Sequence, residues 1–392
     1  MSKRYSRSEI LFLTAYSLWL IFEVLNLTYF RQMMPLSDIR QGVRKLVYLL
    51  LILKLYDDNE LDAGTLAGLA VIAVTYLICR RAEITDLFVS VCFIVSMRNV
   101  DYRKVFRVTI ILQLLIMAAT VTASITGLLP NELWTGPDMR ERYDWGYTYC
   151  TYGSHIAMFL SLLYMSLKKT LKLWQALLLL GFNYLWARGT MTNTDLYLFI
   201  FSIAGTYLLG RMQLAFDNKR IEKLCFFLIG IIVPATALTA QVIYDGSEAL
   251  WLKANLFFNG RLKLGHDGLD EYGIPLLGRK IRWVGAGSKK KHPDWIYNYV
   301  DCSYLKYAIH YGIIFEVILL VGIVLLGIWV AGNTNPGLKI AYISWLIFGM
   351  IDAELLVLSF QPIMLLLGYV FAARQNAPDL RMENMPVVKC GG

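Results

Sequence analysis

The sequence has little charge. Only 17% of its 392 residues are charged, against about 25% in soluble domains. Hydrophobic residues make up 57%, which exceeds the usual share of about 45–50%. These values exclude a disordered chain and a collagen-like chain. The apolar residues also come in blocks near the length of a spanning helix, about 20 residues. We therefore expect most of the chain to lie in a membrane.

Cysteine pairs and the short motifs of many soluble enzymes are also missing. The six cysteines form no Cys-x-x-Cys pair, which excludes a disulfide scaffold and argues against a structural zinc site. Walker, Gly-x-Ser-x-Gly and His-Glu-x-x-His motifs are absent, and no outer segment carries an Asp-x-Asp pair. We therefore expect no cofactor and no metal, and activity that survives EDTA.

Apolar segments predict an all-α polytopic integral membrane protein with about twelve transmembrane helices. The twelve candidate spans are 8–30, 44–56, 62–79, 84–98, 105–129, 152–167, 173–187, 192–210, 222–243, 303–330, 338–352 and 354–372. The second is short and carries Lys54. The last two are separated only by Asp352 to Glu354 and alternatively form a re-entrant hairpin. We expect residues 1–392 to form a single membrane domain.

Orientation follows from lysine and arginine in the short connections. Basic residues precede the first span, follow the last, and cluster at 98–104, 168–172 and 211–223. Twelve spans place all of these in the cytoplasm, together with both termini. A medium loop, 130–151, and a long loop, 244–302, are then extracytoplasmic. In a membrane protein the net charge of +9 is typical of this asymmetry and of anionic lipid contacts rather than of nucleic acid binding.

Arginines at the outer ends of spans favour an anionic ligand. The guanidinium group is a planar fork that matches phosphate and carboxylate. An arginine-rich outer cavity would suit a pyrophosphate-linked lipid; alternatively, these side chains bind lipid headgroups or pair with Asp138, Glu141 and Asp144. The four arginines beside span ends are Arg140, Arg142, Arg188 and Arg261.

The long outer loop combines a predicted interfacial helix with aromatic residues. Residues 247–258 have helical periodicity and one apolar face, which is typical of a helix lying on a bilayer. Gly260 follows, where the backbone turns or approaches a ligand. The aromatic side chains are typical of the ordinary aromatic belt of a membrane interface, and alternatively suit sugar rings. Arg279 and Arg282 add positive charge.

Carboxylates and histidines supply candidate bases for a sugar hydroxyl. Asp301 lies where the long loop re-enters the membrane, and its alternative role is structural. Asp195 opens the eighth span, where an acid also fits as a cap or a first-turn residue. Glu23, inside the first span, is either functional or paired with a basic residue of a neighbouring span. The four histidines, all outer by this topology, are His155, His266, His292 and His310.

Four short segments follow one another from the long outer loop into the next span: Phe258-Asn-Gly-Arg-Leu, Tyr272-Gly-Ile-Pro-Leu-Leu-Gly278, Tyr299-Val-Asp-Cys-Ser-Tyr304 and Tyr311-Gly312. Together they resemble the signature stretch of Wzy-type polysaccharide polymerases. Looser similarities cover Arg142 to His155 and Ala187-Arg-Gly-Thr. The sequence departs from that pattern at Ala187, at Cys302 and in the residues before His155.

This resemblance implies a GT-C-like helical bundle in the plasma membrane of a bacterium. The implied reaction joins repeat units carried on undecaprenyl pyrophosphate, with lipid-linked oligosaccharide as both donor and acceptor, outside the membrane. Flippase and chain-length regulator proteins would be its partners, besides membrane lipids. The implied catalytic residues are Asp301, Arg261, Arg188 and Arg142. The substrate-binding candidates are Arg140, Gly260, Arg279, Arg282, Tyr299, Tyr304 and His155.

Two rival functions share much of this pattern. An O-antigen-ligase-type enzyme would move a finished glycan onto another acceptor with the same fold and chemistry. A flippase of the same lipid-linked oligosaccharide would also use many spans and a basic cavity, although transporters tend to contain internal repeats and broken helices. We find no internal repeat, and the long one-sided outer loop favours catalysis outside the membrane.

Overall fold

The computed structural model describes residues 6–33, 36–58, 62–135, 141–215 and 218–372. This part is mostly helical, with one two-stranded hairpin and one 3-10 helix, Ile363–Phe371. The α-helices are α1 Arg7–Asn26, α2 Phe30–Met33, α3 Leu36–Asp58, α4 Ala63–Ala82, α5 Asp86–Ser96, α6 Tyr102–Ile125, α7 Tyr152–Leu167, α8 Leu173–Thr190, α9 Asn193–Ala215, α10 Lys219–Val242, α11 Ala249–Phe257, α12 Arg261–Tyr272, α13 Ala286–Lys291, α14 Ser303–Tyr311, α15 Ile313–Ala331 and α16 Pro336–Ile351. The hairpin pairs β1 Leu133–Thr135 with β2 Glu141–Tyr143 in antiparallel register.

Five described helices are long and apolar enough to cross a membrane: α1, α4, α6, α10 and α15. Three shorter apolar helices, α5, α7 and α16, lie in the interior, where most of their residues are buried. The outer surfaces of the long helices instead expose many large apolar side chains. This is the architecture of a helical membrane protein, as expected. Ten of the twelve predicted spans coincide with a single helix. The lengths of these helices do not show that all twelve segments cross the membrane.

Three predicted spans need correction. The segment 84–98 forms only the 11-residue helix α5, about 16 Å long against a hydrocarbon thickness of about 30 Å. The segment 303–330 is two helices rather than one. The segment 354–372 is irregular at first and then forms the 3-10 helix. A hydropathy pattern reports apolar composition, which interior segments share with lipid-facing ones.

The break between α14 and α15 lies at Gly312, whose φ is +89°. A Cβ at this position would stand 2.8 Å from the carbonyl oxygen of Leu276. Pro275 and Leu276 of the long loop lie against this break. Their carbonyl groups replace hydrogen bonds that a continuous helix would make here. The Ile313 N–H donates to the Pro275 oxygen at 2.9 Å. Irregular backbone at membrane depth is tolerated where protein groups satisfy it in this way.

The irregular segment after α16 is also held by protein groups. The carbonyl of Asp352 accepts from the Ser303 hydroxyl at 2.6 Å. That hydroxyl oxygen in turn accepts the Leu355 N–H at 3.0 Å. The Tyr307 hydroxyl accepts the Leu356 N–H at 3.0 Å. Side chains of α14 therefore fix the backbone around residues 352–356 within the bundle.

Segments that the sequence assigns to the outer side contact one another. Lys290 of the long loop pairs with Glu132 of the medium loop, with Nζ and Oε2 2.6 Å apart. Lys280 pairs with Glu83, in the turn after α4, at 2.6 Å. Among the segments that the sequence assigns to the inner side, Lys104 pairs with Glu9, and Lys339 with Glu222. Each of these pairs joins segments that the predicted topology places on the same side; the topology itself stays a prediction.

Helix α11 lies where the sequence predicts an interfacial helix, and its position at a membrane surface stays a prediction. It is part of the segment 247–258, and none of its residues is buried. Leu250, Leu256 and Phe257 expose 74%, 77% and 80% of their surface. Exposed apolar side chains of this size suit the boundary between lipid headgroups and acyl chains.

Candidate functional site

Polar side chains converge where the long loop meets the bundle. Asp301 precedes α14, and Arg261 is the first residue of α12. The Asp301 Oδ2 lies 3.9 Å from the Arg261 Nε, and the two side chains are 30% and 23% exposed. The pair therefore remains open to a ligand while most of its surface is removed from solvent.

A tight turn places Arg261. Asn259 and Gly260 have φ values of +52° and +82°, and the Gly260 N–H donates to the Asn255 oxygen at 2.8 Å. A Cβ at Gly260 would meet nothing within 4 Å. The glycine therefore serves the left-handed backbone conformation, and not a close approach to neighbouring atoms.

His155 and Asp195 form a buried hydrogen-bonded pair beside this junction. His155 lies in the first turn of α7 and Asp195 in the first turn of α9. Their Nδ1 and Oδ2 atoms are 2.9 Å apart, and the side chains are 5% and 4% exposed. The sequence named both residues as candidates but did not predict that they pair.

Two acids from the irregular segment face the same histidine. The Asp352 Oδ2 lies 3.5 Å from the His155 Nε2. Glu354 completes a group in which one donor atom of each of the three residues lies within 4.8 Å of the others. The backbone bonds from Ser303 and Tyr307 described above hold these acids in position.

Lys306 brings a second cation to the junction. Its Nζ donates to the Tyr299 hydroxyl at 2.7 Å. Asp301, Asp352 and Glu354 all interact with its charge. This one lysine on α14 therefore partly balances the negative charge of the three carboxylates.

A cavity of about 220 Å³ adjoins these groups. Tyr299, Lys306 and Glu354 line one side, and Glu23 and Arg44 line another. Glu23 is paired, as one of its two sequence-based interpretations held. Arg40 makes a two-pronged contact to it at 2.7 and 2.8 Å, and Arg44 adds a third contact at 3.4 Å.

Burial raises the pKa of Asp301 to about 6, although the neighbouring Arg261 opposes the shift and Asp352 adds to it. Asp301 therefore changes charge close to neutral pH, where a catalytic base is most effective. Burial also raises the pKa of the Tyr299 hydroxyl well above its usual value. Tyr299 is therefore a neutral hydrogen-bonding group at neutral pH.

The other predicted arginines belong to other elements of the structure. Arg142, in β2, is half-buried and bonds to Cys150. Arg188 is exposed in the last turn of α8. Arg140 lies outside the described residues. Asp144 accepts hydrogen bonds from Tyr29, Trp134 and backbone N–H groups.

Three predicted substrate-binding residues make contacts within the protein. Tyr304 is fully buried and its hydroxyl donates to the Leu346 oxygen at 2.9 Å, so it cannot reach a ligand here. Arg279 donates to the carbonyl oxygen of Tyr272 and so holds the end of α12. Arg282 is exposed and stacks on Trp295 at 3.8 Å.

Sequence reasoning missed Asp352, Glu354 and Lys306. Asp352-Ala-Glu354 does not fit an Asp-x-Asp motif, although the predicted topology puts these residues on the outer side. Charged residues are expensive within apolar segments, and this cost marks them as functional candidates. That signal was present at Lys306 and Glu354.

We compared the chain with models of protein families, with curated proteins and with solved structures, and no match was found.

Proposed function

We propose that the chain is a membrane glycosyltransferase, a polymerase that joins undecaprenyl-pyrophosphate-linked oligosaccharide units on the outer face of a bacterial plasma membrane. The observation that carries the proposal is the Asp301–Arg261 pair, 3.9 Å apart at the junction of the long loop and the bundle. It puts a base beside a cation, next to a cavity with further charged groups.

In the proposed step Asp301 accepts the proton of an acceptor sugar hydroxyl. The hydroxyl oxygen bonds to the anomeric carbon of the donor glycan. The bond from that carbon to the pyrophosphate breaks, and the lipid pyrophosphate leaves with the electron pair. Arg261, a forked donor, lies where it can stabilise the charge that develops on the leaving group. His155 and Lys306 extend the polar surface around the two reacting groups.

The resemblance to Wzy-type polymerases agrees with the packing of the motif segments. Pro275 and Leu276, in one of them, contact the backbone at Gly312 in another. Arg261 and Asp301 belong to two more of these segments and face each other. Segments far apart in sequence thus contact one another, and two of them do so at the place where the reaction is proposed.

The test uses purified protein in lipid vesicles with a lipid-linked repeat unit. We expect Asp301→Asn to retain substrate binding and to lose turnover about 10²–10⁴-fold, the usual contribution of a general base. Asp267→Asn is the matched control, because Asp267 is exposed and paired only with Lys263. An Asp301→Asn variant with near wild-type turnover would exclude Asp301 as the base. A variant that loses binding, and recovers when the charges of Asp301 and Arg261 are exchanged, would make the pair a structural clamp.

One observation favours a flippase as the second candidate. The helix break at Gly312 resembles the discontinuous helices of transporters. A flippase would move lipid-linked oligosaccharide across vesicles without joining units, so the same preparation separates the two functions. Ligase activity would appear as a single transfer to a different acceptor.

A further inference from the structure

The group formed by His155, Asp352 and Glu354 has the composition of a metal site. It offers one imidazole nitrogen and two carboxylates, with one donor atom of each within 4.8 Å of the others. The distance from His155 Nε2 to Asp352 Oδ2 is 3.5 Å, longer than a usual hydrogen bond of about 2.7–3.2 Å. Two ligands about 2.1 Å from one ion at the tetrahedral angle stand about 3.4 Å apart. This pair is therefore spaced as two ligands of one ion.

The histidine is already oriented for this role. Its Nδ1 is bonded to Asp195 at 2.9 Å, so Nε2 is the nitrogen directed at the two acids. Metal-binding histidines in proteins usually bond through their other ring nitrogen to a carboxylate or a carbonyl, which fixes the ring. Asp195 would be that outer carboxylate, since the His155–Asp195 pair is almost fully buried.

Glu354 independently indicates that the group lacks a binding partner. Its Oε2 is buried and has no hydrogen-bond partner in the described part of the chain. A buried carboxylate oxygen without a partner is costly. A cation between Glu354 and His155 would satisfy it, provided that the donor atoms draw in by about 1 Å to reach bonds of about 2.0–2.2 Å.

We propose that His155, Asp352 and Glu354 bind one divalent transition-metal cation, with Asp195 holding the histidine in place. Mixed imidazole and carboxylate ligands suit such ions, because imidazole favours zinc and its neighbours while carboxylates favour manganese. The site is adjacent to the proposed reaction site but does not depend on it. It replaces the expectation, drawn from the sequence, that the chain binds no metal.

The alternative is a protonated His155 held between Asp195 and Asp352, with no metal. Mn²⁺ separates the two, because its paramagnetism reports both binding and ligand type. Full-length protein in nanodiscs, treated with EDTA and dialysed, is titrated with Mn²⁺ while the free ion is followed by electron paramagnetic resonance. We expect one bound ion per chain and, in pulsed measurements, modulation from one imidazole nitrogen.

Variants assign the ligands. Glu354→Gln should lower the Mn²⁺ affinity at least about 10–100-fold, and Asp195→Asn should lower it similarly while keeping the nitrogen signal. Glu316→Gln is the control, since it also removes a buried carboxylate, on α15. Absence of a bound ion or of the nitrogen signal in the wild type would overturn the proposal. Equal affinity in the wild type and in Glu354→Gln would overturn it too. Neither result bears on glycosyl transfer, which is measured separately.

Discussion

At the residue scale, the position of Asp301 predicts how activity depends on pH. Burial raises the pKa of this carboxyl to about 6, and only the ionised form accepts a proton. We therefore expect kcat/KM to rise with pH through about 6 and to level off above it. The measurement is a pH profile of chain extension in vesicles. In Asp301→Asn the residual activity should lack this ascending limb, whereas an unchanged profile would assign the limb to another group.

The same shift predicts a cost to stability. An acid whose pKa is higher in the folded than in the unfolded state opposes folding when it ionises. For Asp301 this cost is absent below its ordinary value of 3.8 and complete above about 6. We expect Asp301→Asn to melt at a higher temperature than the wild type near neutral pH. Near pH 4 the two should melt alike. A lower Tm for the variant at neutral pH would mean that the charged form makes stabilising contacts.

Substitutions of Arg261 test whether its planar guanidinium group, and not only its positive charge, is needed. Arg261→Ala should reduce chain extension by about 10²–10³-fold, the usual effect of removing one donor from a developing oxyanion. Lysine should restore it only in part because it lacks the planar fork. Product yield over time in vesicles measures this. Arg220→Ala, at the start of α10 on the opposite end of the bundle, serves as the control. Full activity in Arg261→Ala would exclude the proposed role.

At the element scale, the break at Gly312 is built into the backbone. Alanine there would have to adopt φ +89° and ψ 167°, a region that essentially only glycine occupies and that costs about 1–3 kcal/mol. Its Cβ would also stand 2.8 Å from the Leu276 oxygen. We expect Gly312→Ala to lower the Tm and the folded yield of the purified protein. Gly181→Ala should be neutral or stabilising, since Gly181 lies within α8 and a Cβ there meets nothing within 4 Å. A neutral Gly312→Ala would mean that α14 and α15 can rearrange.

Sequence patterns located most elements but missed the breaks. Apolar runs of helical length marked ten of the predicted spans because a helix and its hydropathy share one period. The break at Gly312 depends on the carbonyl group of Pro275, a residue distant from it in sequence. The 3-10 helix is apolar like a span, yet it is buried inside the bundle. Hydropathy reports only the composition of a segment. It therefore predicts neither the loop carbonyls at Gly312 nor the burial of the 3-10 helix inside the bundle.

For the candidate site, the sequence identified single residues but not their neighbours. Asp301 and Arg261 are recognisable because they flank the long loop and belong to quoted motifs. Asp352 and Glu354 meet His155 only through the irregular segment that α14 holds. Such convergence comes from tertiary packing, so spacing along the chain could not predict it.

At the scale of the whole molecule, the two ends of the bundle predict which residues are reached from each side. A cysteine at position 289, in exposed α13, should react with an impermeant thiol reagent from outside intact cells. A cysteine at position 170, in the exposed connection between α7 and α8, should react only after the membrane is opened. Cys225 and Cys390 are replaced by serine in both. Reaction at 289 only from the cytoplasmic side would invert the topology.

The most direct test of the central claim is reconstitution of the purified chain with one defined substrate, an undecaprenyl-pyrophosphate-linked repeat unit. The lipid-linked products are separated by size after incubation in vesicles. Polymerisation at the Asp301–Arg261 junction predicts a ladder that grows by whole repeat units and is lost in Asp301→Asn. Folded wild-type protein that binds the substrate and yields only unextended units would contradict the account.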